Sequence, residues 1–161
     1  MIASGVTGGR SGHKRGMTAV NSSRPPSHAV ELDHWTLTTA TELRTLRQLL
    51  AQALARVQPT GSGDLDEVPD RVVLVATELA TNALQHGLPP TTVRLLRHDD
   101  RFVLDVTDHD PDSIPHVTAA SLSSRRGRGL AIARSVSLHV GWYTADDIKH
   151  VWASFPITAE P

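Results

Sequence analysis

Apolar residues recur at helical spacing in two long stretches of the chain and at every second position in several short ones. Between residues 40 and 58, Leu43, Leu46, Leu50, Ala53, Leu54 and Val57 fall within one arc at about 100° per residue. Arg44, Arg47, Gln48 and Arg56 occupy the other side. The pattern predicts an amphipathic helix, broken after residue 58 by Pro59, Gly61 and Gly63. A second helix is predicted from residue 66 or 70 to residue 86. Pro69 suits its first turn, and Gly87 with Pro89 and Pro90 ends it. Val72, Val75, Ala76, Leu79 and Ala83 form its core stripe, with Leu74 and Leu84 off it, facing either the first helix or a second subunit.

The alternating stretches predict strands. "AVELDHWTLT" (29–38) carries Trp35 and Leu37 on one face. "TTVRLLRHD" and "RFVLDVTDHD" read as two strands joined by a tight turn at Asp99-Asp100. From His109 to Arg126 there are two prolines, several serines and no period. That is a long loop, and such loops in compact domains tend to be functional or mobile. "GRGLAIARSVSL" opens a third helix, and "HVGWYTA" and "KHVWASFPI" close the domain as two more strands. The order is β-α-α-β-β-loop-α-β-β, without internal repeats. It predicts an α+β, two-layer sandwich: a mixed, mostly antiparallel sheet covered on one face by about three helices.

Composition adds bounds. The 161 residues are 39% apolar and 20% charged, enough for one domain with a real core. Residues 1–29 are rich in Gly, Ser, Arg and Pro and are expected to be a disordered basic tail, leaving 30–161 as the domain. The formal net charge of -1 conceals +4 over residues 1–30 and -5 over the rest. An acidic folded part argues against direct nucleic-acid binding through phosphates. The absence of cysteine excludes disulfides, thiolate catalysis and Cys-ligated zinc. With no apolar run of membrane-helix length and no secretory signal, a cytoplasmic protein without membrane contact is the expectation.

Three constellations carry candidate chemistry. In "TELATNALQHG" (77–87), Glu78 and Asn82 lie one turn apart, about 120° and 80° to one side of the core stripe, where a side chain is half sheltered. Asn82 offers a neutral oxygen suited to Mg²⁺, which needs few protein ligands when phosphates and water complete its octahedron. Glu78 could orient or deprotonate an attacking hydroxyl. His86 fits a helix C-terminus better than a ligand. Second, Asp108 shares the parity of Phe102, Leu104 and Val106, so the strand aims a carboxylate inward at its end. A buried carboxylate needs a donor, either an adenine amine or a protein group. Third, in "RRGRGLAIA" (125–133), Gly127 and Gly129 precede a helical run and Arg125, Arg126 and Arg128 add positive charge, an arrangement suited to an anion.

Taken in order, "ATELATNALQHG", "VTDHDPDSIP", "GRGLAIA" and "HVWASFPI" resemble the histidine-kinase-like ATP-binding superfamily with its Bergerat fold. The likeness is greatest to its small stand-alone bacterial branch of anti-sigma-factor serine kinases and related regulatory ATPases, and it covers roughly residues 30–158. It implies helices layered over a mixed sheet, with ATP between them under a mobile lid. By this resemblance Asn82 holds Mg²⁺, Glu78 activates the hydroxyl or water, and Asp108 bonds the adenine amine. Arg126, Gly127, Arg128, Gly129 and Leu130 form the phosphate-side segment. Family members phosphorylate a serine on a small antagonist protein and bind a sigma factor, often as homodimers.

Two departures qualify the resemblance. Asp110 and Asp112 stand where many superfamily members have the glycines of D-x-G-x-G. A Gly-Lys-Thr-like element appears as Ile148-Lys149-His150, so an adenine-site threonine is absent and His150 either substitutes or blocks. Three readings follow: an ATP-dependent protein serine/threonine kinase in a partner-switching system; a nucleotide-binding module with little or no catalysis that sequesters a partner; and a metallohydrolase using His86, Asp108, His109, Asp110 and His116.

Overall fold

The computed structural model describes residues 17–57, 67–113, 115–118, 132–133 and 136–157. Its centre is a five-stranded sheet in the order β2-β3-β4-β7-β6. These strands are β2 (Val30–Leu37), β3 (Thr91–His98), β4 (Arg101–Asp108), β6 (His139–Ala145) and β7 (Ile148–Pro156), and every neighbouring pair is antiparallel. Two short strands, β1 (Met17–Ala19) and β5 (His116–Thr118), pair with each other. The 3-10 turn Ala40–Glu42 leads into helix α1 (Leu43–Val57), and α2 is Glu67–His86. The architecture is the expected α+β sandwich, with a wholly antiparallel sheet among the described strands. The third predicted helix falls mostly outside the described residues, although Ala133 is buried in the core.

Both helices lie on one face of the sheet, and the predicted stripes are the buried ones. Leu46, Leu50, Ala53 and Leu54 of α1 meet Val72, Val75, Ala76, Leu79 and Ala83 of α2 in a cluster with Val93, Leu95, Phe102, Leu104, Val106 and Phe155. Truncating a fully buried leucine such as Leu50 or Leu54 to alanine costs about 2–5 kcal/mol. Leu84 packs at the edge of this core, whereas Leu74 is exposed. Glu42 fastens the entry to α1: its Oε1 accepts from the Thr38 N–H at 3.1 Å, the Thr38 hydroxyl at 3.0 Å and the Thr39 N–H at 3.2 Å. These bonds, the Thr38 N–H first, hold its carboxyl below the ordinary carboxylate value.

The β3–β4 turn falls at Asp99-Asp100, where Asp99 has a positive φ of 51°. The β6–β7 turn uses Asp146 and Asp147 with φ of 53° and 61°, a conformation aspartate tolerates because its short side chain can bond locally.

The N-terminal stretch differs from expectation. Residues 17–24 are not a free tail but a strap along the sheet. The Ser23 N–H donates to the Trp142 carbonyl at 2.9 Å, and the Trp142 N–H to the Asn21 carbonyl at 3.2 Å. The indole N–H groups of Trp142 and Trp152 donate to the carbonyls of Val20 and Ser23, each at 2.8 Å. Arg24 then lies over the Tyr143 ring, 4.7 Å from its centroid, and Ala29 packs beside Leu96, Val103 and Trp152 on the face away from the helices. A glycine is required at 141, since a Cβ there would overlap Ser23 and lie 2.7 Å from the Trp152 indole nitrogen. Residues 1–16 lie outside the described residues.

Candidate nucleotide site at the end of the central strand

Strand alternation places Asp108 as predicted. Phe102, Leu104, Val106 and Asp108 all point to the helical layer, and Asp108 is only 3% exposed. It lies beneath the C-terminal end of α2. The His109 N–H donates to the Leu88 carbonyl at 3.0 Å, joining the end of β4 to the residue after the helix stop. Gly87 rests against the Asp108 carboxyl group; a Cβ at 87 would overlap the carboxyl carbon and lie 2.7 Å from Oδ2. In the sequence Gly87 reads only as a helix terminator. Here its missing side chain is what lets the helix end approach the carboxylate.

The donor that Asp108 requires is in the protein. Lys149 is its direct cross-strand partner on β7, and its Nζ stands 3.3 Å from Asp108 Oδ2, with both side chains buried. The same ammonium donates to the Ser113 carbonyl at 3.2 Å and the Ser113 hydroxyl at 2.8 Å. Asp108 Oδ1 accepts from the Asp110 N–H at 2.8 Å. Asp110, expected as a departure from a glycine, therefore uses its backbone to close a turn on Asp108. His150 neither substitutes for the missing threonine nor blocks the site. One residue along the strand from Lys149, it points to the opposite face, where its Nδ1 lies 3.0 Å from Asp105 Oδ2. The parity of Lys149 with Val151, Ala153 and Phe155 could have shown this from sequence.

Glu78 and Asn82 are both half-buried on α2, beside the fully buried Val75 and Leu79. Among the described residues, no hydrogen bond or ion pair reaches either side chain. Asn82 precedes Gly87 by five residues, about 7.5 Å of helix. This half-buried helix edge thus offers a carboxylate and an amide without hydrogen-bond partners among the described residues, about two and a half and one and a half turns from the helix end that covers Asp108. A single neutral oxygen from Asn82 fits a Mg²⁺ ion that keeps waters and phosphate oxygens as its other ligands. His86 is exposed in the last turn of the helix. Arg126, Gly127, Arg128, Gly129 and Leu130 lie outside the described residues, so the expected phosphate-side half of the site is not described.

Among the described residues, no three His, Asp or Glu side chains come together as metal ligands; the side chain of His116, one of the five that the metallohydrolase reading uses, is outside that description. No described helix is long and apolar enough to cross a membrane.

Comparison with known proteins bears on the family and the fold. Residues 36–155 match the histidine kinase-like ATPase domain family. The chain is 32% identical over 102 residues to the signal transduction histidine-protein kinase AfsQ2 of Streptomyces coelicolor. That alignment takes in 55% of this chain and 19% of the relative, so the chain spans about a fifth of that protein's length. The crystal structure of the RsbU and RsbW domains of Rv1364c from Mycobacterium tuberculosis superposes with a TM-score of 0.53 at 18% identity, over 77% of this chain and 32% of that one. At that identity the likeness is one of fold. With a family match over most of its length and a sheet and helices of the same fold, the chain belongs to the histidine kinase-like ATPase domain family.

Proposed function

We propose that this chain binds ATP with Mg²⁺ and transfers the γ-phosphoryl group to a serine or threonine hydroxyl of a protein partner, acting as a cytoplasmic partner-switching regulator of transcription. The observation that carries the reading is the pairing of Glu78 and Asn82. Both are half-buried at the rim of the core, and no described side chain uses them. A polar pair there without a partner among the described residues fits a ligand-facing edge.

In this reading Asn82 would hold Mg²⁺, which when bound neutralises charge on the phosphates. Glu78 accepts the proton of the attacking hydroxyl. The hydroxyl oxygen bonds to the γ-phosphorus as the bond to the bridging oxygen breaks and ADP leaves. Arg126, Gly127, Arg128, Gly129 and Leu130 would line the phosphates, by the sequence resemblance alone. Asp108 would meet the base. The partners that the resemblance implies are a sigma factor and an antagonist protein carrying the target serine, with a homodimer as the working assembly.

Incubating the protein with γ-labelled ATP and candidate antagonist proteins tests the catalytic part. Label should move to a partner serine or threonine with wild type and not with Glu78→Gln, although the variant still binds ATP. Equal transfer by the variant would remove Glu78 from the reaction. The second reading, a module that binds nucleotide with little or no transfer, is favoured by one observation: the carboxylate assigned to the base is already engaged by Lys149. Tight nucleotide binding without transfer to any partner would support it.

A further inference from the structure

Lys149 is buried, with 6% of its surface exposed, and it projects from β7 into the face that packs against the helices. An ammonium has three protons, and this one has three acceptors: Asp108 Oδ2, the Ser113 carbonyl and the Ser113 hydroxyl. The other oxygen of Asp108 takes the Asp110 N–H, and Gly87 covers the carboxyl group. The carboxylate is therefore engaged at both oxygens and shielded from outside. With the group buried and Oδ2 already held by the ammonium, an exocyclic amine of a base that reaches this oxygen competes with Lys149 for it.

We infer that Lys149 sets the affinity and base selectivity of the nucleotide site by occupying it: the ammonium is the internal competitor that an adenine amine displaces from Asp108. This rests on the nucleotide-binding reading and adds a determinant to it. Displacement has a second consequence. The ammonium that bonds Asp108 also holds Ser113, so a base that displaces Lys149 loosens the turn over residues 109–113 that leads to β5. Base recognition and the position of this turn are coupled through one side chain.

Lys149→Thr removes the competitor and leaves a short hydroxyl with room for water beside the carboxylate. A hydrogen bond to a charged group lost from the competing state is worth about tenfold in the dissociation constant. Calorimetric titration of ATP and of GTP into wild type and Lys149→Thr should therefore show ATP binding roughly tenfold tighter in the variant, with a larger preference for ATP over GTP. The double variant Asp108→Asn/Lys149→Thr, which buries no unpaired charge, should show neither gain.

A measurement on the unsubstituted protein covers the case in which the single variant does not fold. The chain has two lysines, Lys14 and Lys149, so the side-chain ammonium signal of Lys149 in a ¹⁵N NMR spectrum is assigned by comparing two resonances. Saturating ATP should shift or broaden it. A folded Lys149→Thr that binds ATP no more tightly than wild type, or an unchanged Lys149 signal in ATP-saturated protein, would overturn the inference while leaving nucleotide binding intact. No ATP binding by folded wild type or variant would instead refute the nucleotide reading, and this inference with it.

Discussion

Strand β4 carries two buried carboxylates three residues apart, on opposite faces of the sheet, and each meets a basic residue of β7. On the face away from the helices, Asp105 takes His150 Nδ1 at 3.0 Å and Arg94 Nη1 at 3.5 Å. His150 stacks on Tyr143 with ring centroids 4.4 Å apart, and Arg94 Nε continues to Glu31 at 3.4 Å. On the face toward the helices, Asp108 takes Lys149. The first pair is embedded in a ladder that crosses the sheet from β6 to β2 and is covered by the strap at Arg24. Burial, and then the Asp105 charge, raises the pKa of Tyr143, which keeps that phenol neutral within the ladder. The second pair stands at the end of a strand, under a helix terminus, tied to one turn. Like chemistry thus serves two ends. The ladder satisfies Asp105 with side chains on several strands, while Asp108 has one charged partner, Lys149, and the Asp110 N–H, beside the proposed ligand site.

The comparison can be broken from the ladder side first. Asp105→Ala leaves Arg94 and His150 without their shared carboxylate and should cost about 3 kcal/mol, reduced from the upper range for buried pairs because Arg94 is about a third exposed. Chemical denaturation measures it, and under native conditions ATP affinity should stay at the wild-type value. Gly87→Ala attacks the other side. Its Cβ would overlap the Asp108 carboxyl group, so it should lose about 1–3 kcal/mol of stability and also weaken ATP binding, unlike Asp105→Ala. Asp108→Asn should cost about 1–3 kcal/mol and narrow any preference for ATP over GTP. Equal selectivity in mutant and wild type would detach Asp108 from the base.

The smallest effect lies away from both carboxylates. The folded-state pKa of Glu42 is depressed, so its contribution to stability is present above the ordinary carboxylate value and is lost as pH falls through the lowered one. Glu42→Gln should flatten the acid limb of the stability curve and leave neutral-pH ATP binding alone. An unchanged acid limb would mean that the bonds to Thr38 and Thr39 do not survive in solution.

Periodicity carries information about faces, and what it could reveal was legible. The stripes of α1 and α2, the inward aim of Asp108 and the flank position of Glu78 and Asn82 all follow from angles along one element. Contacts between distant segments do not. The strap is held by backbone carbonyls that meet Trp142 and Trp152 more than a hundred residues away, and Val20 is buried while residues 21–24 are exposed. Nothing in that composition distinguishes it from an unstructured tail. Gly87 was readable as a stop but not as a contact, because the carboxyl group it touches lies on another strand. His150 stands where a threonine is expected, yet its neighbour Lys149 holds the inward position.

In the proposed function, the helix edge bearing Asn82 holds a magnesium–nucleotide complex. Its most direct test is calorimetric titration of ATP into the protein with magnesium and with excess chelator, for wild type and for Asn82→Ala of equal thermal stability. Binding should be saturable, weaken sharply when magnesium is removed and be lost in the variant. Binding that is indifferent to both magnesium and Asn82, or no binding by the folded wild type, would contradict it.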